Sequence, residues 1–165
     1  MHALGSLRDL LTHMEWADAT VWNAVRAHGG GDDKLLDRLR HIHSVQWSFL
    51  TIWLERPLDR KDLFAERNLT ELEAWARAFY AELHAFVGSI DDAALARSVS
   101  LPWAARLIDS PAEVSLDETL MQVAMHSIYH RGQVNTRLRE IGGEPPLVDY
   151  IAWLWYRRPA PPWPA

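Results

Sequence analysis

The chain has 165 residues, of which 48% are hydrophobic, a composition that predicts a single domain over 1–165 with one sizeable core. The formal charge of −5, without any run of Lys and Arg, argues against a nucleic-acid partner. The chain contains no cysteine, which excludes disulfides, thiolate metal sites and a cysteine nucleophile. Histidine and carboxylate side chains would therefore have to hold any bound metal.

The N-terminal segment MHALGSLRDLLTH does not resemble a signal peptide, because charged and polar residues interrupt its apolar run. No uninterrupted apolar stretch approaches the roughly 18 residues that a membrane span requires. We therefore expect a cytoplasmic protein without a membrane partner.

The first third of the chain predicts two amphipathic helices. Apolar residues recur at helical spacing from Ser6, the predicted N-cap, to the glycines at 29–31 that end the first helix. The second helix is predicted to run from an Asp cap in DDKLL to Pro57.

The rest of the chain predicts a third helix over 68–90, with Thr70 as cap and Glu73 completing a capping box. A loop with a small hairpin around residues 98–101 follows, because the periodicity there is mixed. The fourth helix is predicted to start near Ser115 or Asp117 and to end at the glycines 142–143. The pattern indicates an all-α four-helix bundle, with a long connection between its third and fourth helices and a short C-terminal helix in DYIAWLWYR.

The segment AMHSIYHRGQ, residues 124–133, places two histidines four positions apart on the fourth helix. Four residues turn a helix by about 400°, so the imidazoles of His126 and His130 lie roughly 6 Å apart on one stripe and can converge on one ion. Buried carboxylates, carbonyls or water could satisfy the same two rings. A third ligand would have to come from another helix, where His41, His43 and His13 are candidates that periodicity does not separate.

Three motifs together resemble the DinB/YfiT-like family of small metal-binding helix bundles. They are MEWADATVW in the first helix, HIHSVQWSFL in the second, and HSIYHRGQVNTRLREIGGEPPLVDYI in the fourth helix and tail. The resemblance implies that His41, His126 and His130 hold a divalent metal, zinc or nickel. The extra imidazole of His43 departs from the family pattern and stays an alternative ligand.

Three residues after His130 complete the motif. Gln133 follows His126 by seven positions and is expected to stay near the site as a partner of a ligand. Arg131 could hold a carboxylate, an anionic substrate or a neighbouring chain, or form a structural salt bridge. Gly132 is interpreted as permitting close helix packing, at a cost of about 1 kcal/mol in helix propensity.

Three neutral imidazoles leave a divalent ion with its full charge and with open positions, as catalytic sites do. The resemblance implies a thiol S-transferase that uses a low-molecular-weight thiol and a small-molecule substrate in detoxification or stress response. The alternatives are a metal-dependent hydrolase, with Asp18 or Glu15 as nearby carboxylates, and a non-enzymatic metal-binding dimer.

The resemblance also implies a homodimer. The apolar tail residues Trp153, Trp155 and Tyr156 offer surface for it, although they could equally close the protein's own core. Four tryptophans are expected to line a substrate pocket: Trp16, Trp22, Trp47 and Trp103.

Overall fold

The computed structural model describes residues 3–164, so that residues 1, 2 and 165 of the predicted domain lie outside the described part. The helices are α1 (Leu4–His28), α2 (Asp33–Trp53), α3 (Arg60–Leu63), α4 (Leu69–Ser89), α5 (Leu116–Glu140) and α6 (Tyr150–Trp155). Short 3₁₀ helices cover Ala93–Ala96 and Ala104–Arg106, and two short strands are β1 (Ser98–Val99) and β2 (Val114–Ser115).

The four long helices α1, α2, α4 and α5 form the bundle. Helix α2 packs mainly against α5 and α4, and α1 packs mainly against α5. The predicted all-α four-helix bundle is therefore confirmed, with the short helix α6 in the predicted C-terminal segment. Among residues 3–164, no helix has the combination of length and apolar character that a bilayer crossing demands.

The start of α4 differs from the prediction by two residues. The Asn68 side chain accepts a hydrogen bond from the Glu71 backbone N–H, and the Glu71 carboxylate accepts one from the Asn68 N–H. Asn68 is thus the cap, and Thr70 already belongs to the first turn. The predicted partner Glu73 is instead buried and accepts hydrogen bonds from Arg26 and Arg77. Both Asn and Thr are good cap residues, and these tertiary contacts decide between them.

Two other helix ends also differ from the prediction. Helix α1 begins at Leu4, before Ser6, because the Leu4 N–H donates to the Asp92 carboxylate at 2.8 Å and so needs no local cap. Helix α2 ends at Trp53 rather than at Pro57. The positive φ of 55° at Glu55 takes the backbone out of the right-handed helical region before the proline is reached.

The long connection between α4 and α5 is closed by a small antiparallel pair of strands. Ser98 faces Ser115 and Val99 faces Val114 across it. Ser115 also caps α5, because its hydroxyl accepts the Glu118 N–H while the Glu118 carboxylate accepts the Ser115 N–H. The strand pair therefore fixes where α5 begins, and with it the height of every α5 side chain in the bundle.

Among residues 3–164, the two larger of three apolar clusters form the cores of the bundle, one towards each end. The first contains Leu7, Leu11, Trp53, Phe79 and Leu120 among others. The second contains Val21, Leu35, Ile42, Val134 and Leu138 among others. Along α1, α2 and α5, the residues between the two sets include buried polar side chains, which form a layer across the middle of the bundle.

Helix α6 and the preceding segment dock on α1. Trp153 is buried against Trp16, and the ring of His13 donates a hydrogen bond from Nε2 to the Val148 carbonyl at 2.9 Å. Trp16 therefore belongs to the attachment of the tail and not to a substrate pocket. Trp155 and Tyr156, by contrast, are exposed.

We predict that stability falls in mild acid partly through His13. Burial lowers the pKa of His13 below its usual 6.5, and Nδ1 has no hydrogen-bond partner among residues 3–164. The folded state therefore resists protonation of His13, while the unfolded state accepts the proton. The contribution of His13 to the free energy of unfolding is fully present above pH 6.5 and is lost as the pH falls below it. The variant His13→Gln can keep the donor to Val148 without titrating, and its free energy of unfolding should fall less between pH 7 and pH 5.

The measurement is denaturant unfolding across that pH range. A wild-type slope in His13→Gln would show that His13 does not contribute.

Candidate metal site

Three histidines from two helices meet at the side of the bundle. His41 comes from α2, and His126 and His130 come from consecutive turns of α5. Each offers a ring nitrogen, and these three atoms all lie within 4.8 Å of one another. The three side chains are half-buried or exposed, so the cluster faces solvent on one side.

The distances within the cluster suit one small divalent ion. His41 Nε2 and His126 Nε2 are 3.2 Å apart. Two nitrogens bound tetrahedrally to zinc at about 2.0–2.1 Å would lie about 3.3 Å from each other. The ring of His130 contacts both of the other rings, with centroid distances of 4.4 Å to His41 and 4.3 Å to His126. The three-histidine cluster fits a metal-binding protein.

Gln133 fixes the orientation of one of these rings. His130 Nδ1 donates a hydrogen bond to Gln133 Oε1 at 2.9 Å. The proton on Nδ1 leaves the Nε2 lone pair of His130 available for an ion. The sequence placed Gln133 near the site, and its contact in the structure is with His130.

Electrostatics favour the uncharged form of two of the three rings, His41 and His126. Burial, followed by the proximity of His130 and His41, lowers the pKa of His126 to about 4. Burial and His130 also lower the pKa of His41. Neutral imidazoles have free lone pairs, so this environment keeps His41 and His126 in the state that binds metal.

His43 lies in a different environment, in the interior of the bundle. Its Nδ1 donates to Gln46 Oε1 at 2.7 Å, and its Nε2 accepts the indole N–H of Trp22 at 3.1 Å. Burial lowers its pKa and keeps it neutral. Both ring nitrogens are thus used within the core, and the structure brings His41, not His43, to the α5 pair.

The match to known proteins extends over nearly the whole chain. The model of the DinB family covers residues 2–161. The chain belongs to the DinB family. The resemblance carried by the three motifs is thereby confirmed. This DinB chain is also 25% identical over 126 residues to the uncharacterized protein YizA of Bacillus subtilis (strain 168), with 74% of each chain covered.

A buried ion pair lies directly behind the histidine cluster of this DinB protein. Arg131 donates to Asp18 Oδ1 at 2.5 Å, and the two side chains are only 3% and 4% exposed. The Tyr80 hydroxyl donates to the other Asp18 oxygen, and Gln46 Nε2 lies 2.9 Å from that same oxygen. Although burial by itself raises the pKa of Asp18, Arg131 and the other contacts hold it below its usual value.

This polar layer sets the rotation of α5. Ser127, which directly follows His126, lies 3.1 Å from Gln46 Nε2, and Arg131 directly follows His130. Successive helical residues are about 100° apart, so fixing these two side chains in the interior directs the preceding histidines towards the edge of the bundle. The polar layer as a whole consists of Asp18, His43, Gln46, Tyr80, Ser127 and Arg131.

Sequence reasoning did not find this layer, although one signal was present. Asp18 occupies an inward position on α1, four residues after Met14 and three before Val21, which are both buried. A carboxylate at such a position needs a buried partner. Among the uses considered for Arg131, the salt bridge is the one that the structure contains.

Several other predictions about the site differ from the structure. Gly132 is exposed, and a Cβ there would meet no described atom of another helix within 4 Å, so its proposed role in helix packing within the chain is wrong. Asp18 is committed to Arg131, and the Glu15 carboxylate accepts hydrogen bonds from His84 and Trp163. These contacts leave neither carboxylate as a free base beside the histidines.

A cavity of about 660 Å³ adjoins the cluster, with His41 and His126 in its wall. Of the four tryptophans expected in a pocket, Trp103 lines this cavity. Trp22 is fully buried, and Trp47 stacks on Trp75 with 5.9 Å between the ring centroids. The cavity places a space of small-molecule size next to two candidate ligands.

We predict that breaking the Asp18–Arg131 pair by removing one partner strongly destabilises the fold. Arg131→Met would leave the Asp18 carboxylate buried without its counter-charge, and Asp18→Asn would do the same to Arg131. Each single change should lower the free energy of unfolding by about 3–5 kcal/mol. The double variant should be less destabilised than the sum of the two, because it buries no unpaired charge.

Urea unfolding of the four proteins measures this cycle. Arg158→Met provides the control, since Arg158 pairs with Asp9 at 3.2 Å and both side chains are about half exposed. Removing such a surface pair should cost at most about 1 kcal/mol. Equal effects of Arg131→Met and Arg158→Met would contradict the prediction.

Proposed function

We propose that this DinB protein binds one divalent metal ion, zinc or nickel, through His41, His126 and His130. We further propose that it acts as an S-transferase that uses a low-molecular-weight thiol, in detoxification or stress response. The observation that carries the proposal is the convergence of three imidazoles beside a small-molecule cavity.

A divalent ion bound by His41, His126 and His130 would supply a Lewis acid that favours the deprotonated form of a thiol. The chain has no cysteine, so the thiol must come from a small-molecule cofactor. In the transfer, the thiol sulfur forms a bond to an electrophilic carbon, the leaving group departs with its electron pair, and the thiol proton is released.

The protein's own residues orient and shield these reactants. Gln133 keeps the proton of His130 on Nδ1, so that the same nitrogen of that ring always faces the cluster. Phe49 and Trp103, in contact edge to face at 5.3 Å between centroids, form part of an apolar wall that excludes water from a bound electrophile.

The metal site is tested by elemental mass spectrometry on protein purified without a His-tag or a chelating resin. Wild type should carry near one equivalent of metal, and His130→Ala and His41→Ala almost none. His84→Ala removes a histidine outside the cluster and should keep the metal. No metal in the wild type, even after zinc or nickel is added, would contradict the proposed site.

His43→Ala separates the two candidate ligands of α2. It should bind metal as long as it folds, because His43 contacts Trp22 and Gln46. Circular dichroism establishes whether the variant is folded. Loss of metal from folded His43→Ala, with metal retained by His41→Ala, would assign the ligand to His43 instead.

The reaction class is tested by measuring turnover of an electrophilic substrate with and without a small thiol. Thiol-dependent turnover that disappears in His130→Ala is the expected result. Turnover with metal alone, following the pKa of metal-bound water, would instead favour the hydrolase. Metal binding that stabilises the protein without any turnover would favour the non-enzymatic metal-binding protein.

Homodimerisation also stays a prediction. Exposed apolar side chains lie on α5 and on the tail, and they offer surface for a second copy of the chain. They are Met125, Ile128, Tyr129, Leu147, Ile151, Trp155 and Tyr156. Light scattering coupled to size exclusion would measure the mass in solution.

A further inference from the structure

The cavity beside the histidines has a mostly apolar wall. Apolar side chains make up most of its lining: Val45, Phe49, Leu58, Leu63, Phe64, Pro102, Trp103 and Leu107. The two serines in the wall already have partners, since Ser44 Oγ donates to the Leu63 carbonyl and Ser48 Oγ to the Ser44 carbonyl. Both serine hydroxyl protons are therefore used within the protein, and Gln122 contributes an amide to the same wall.

Two arginines provide the charge of the same cavity. Arg60, in α3, and Arg106, in the second 3₁₀ helix, both line it. Among residues 3–164, no acidic side chain belongs to the cavity wall, and neither arginine takes part in a salt bridge. Arg60 instead lies over the Phe64 ring at 5.7 Å. Both guanidinium groups are therefore available to an anion.

We infer that the cavity binds a small apolar carboxylic acid, with its apolar body against Phe49 and Trp103 and its carboxylate at Arg60 and Arg106. The volume of about 660 Å³ is that of a small-molecule site. Arginine forms charge-assisted, often paired hydrogen bonds with carboxylates, which complements two unpaired guanidinium groups. The inference adds a substrate class to the proposed function. It rests on that function for the reaction that the bound acid undergoes.

Binding is tested with 4-phenylbutyrate and its neutral amide by titration calorimetry. The full-length protein is used both loaded with zinc and treated with a chelator. We expect the acid to bind about tenfold more tightly than the amide in both states, because the arginines and not the metal recognise the charge. In Arg60→Gln/Arg106→Gln, the acid should bind only as well as the amide, and amide binding should be unchanged.

Arg139→Gln is the charge-matched control for the single variants Arg60→Gln and Arg106→Gln, each of which should lose part of the preference. Arg139 is an exposed arginine in the last turn of α5, outside the cavity wall, so its loss changes the net charge without changing the cavity. This variant should keep the full preference for the acid. An equal loss of preference in Arg139→Gln would reduce the effect to overall charge and overturn the inference.

Two other outcomes overturn the inference as well. One is equal binding, or no binding, of acid and amide to the wild type. The other is a preference that needs zinc and survives in the double arginine variant, since the carboxylate would then bind the metal. If the protein holds no metal but the arginine-dependent preference persists, the proposed function fails and the binding site stands. If metal binds and the preference is absent, the inferred acid-binding site fails and the proposed function stands.

Discussion

The buried pair of Asp18 and Arg131 is the constraint on which the rest of the bundle depends. Removing two charges from water is costly, and the cost is recovered only when the geometry satisfies both groups. Here Gln46 and Tyr80 also donate hydrogen bonds to the Asp18 carboxylate. Each of the four long helices thus contributes a side chain to one layer, and a shift of any helix along its axis would break that layer.

Such a layer specifies the arrangement of the helices more than it stabilises them. The two apolar cores on either side would tolerate small changes in the rotation of a helix, because burial of apolar surface is not directional. Hydrogen bonds are directional, and an unpaired group in the interior is costly. The positions of Ser127 and Arg131 in the layer therefore determine where the adjacent His126 and His130 point.

The candidate site combines the histidine cluster with the cavity that adjoins it. Partial burial keeps the rings of His41 and His126 uncharged, while the open side leaves room for other ligands. The cavity adds an apolar wall and two arginines without acidic partners in that wall. A bound metal would then lie at the histidines. The apolar body of a ligand would lie against the apolar wall, and its anionic group would lie at the two arginines.

The sequence by itself determined the four long helices, the capping serine at 115 as one of two candidates, and the pairing of His126 with His130. These features depend on contacts within a few residues, which periodicity and spacing report directly. The tertiary structure decided which helix face meets α5. His41 and His43 are about 200° apart on α2, and periodicity did not separate them. The family resemblance implied His41, and the packing shows that His41 faces the α5 histidines while His43 faces Trp22. The partner of Asp18 lies more than a hundred residues away, and no local pattern encodes a contact over that distance.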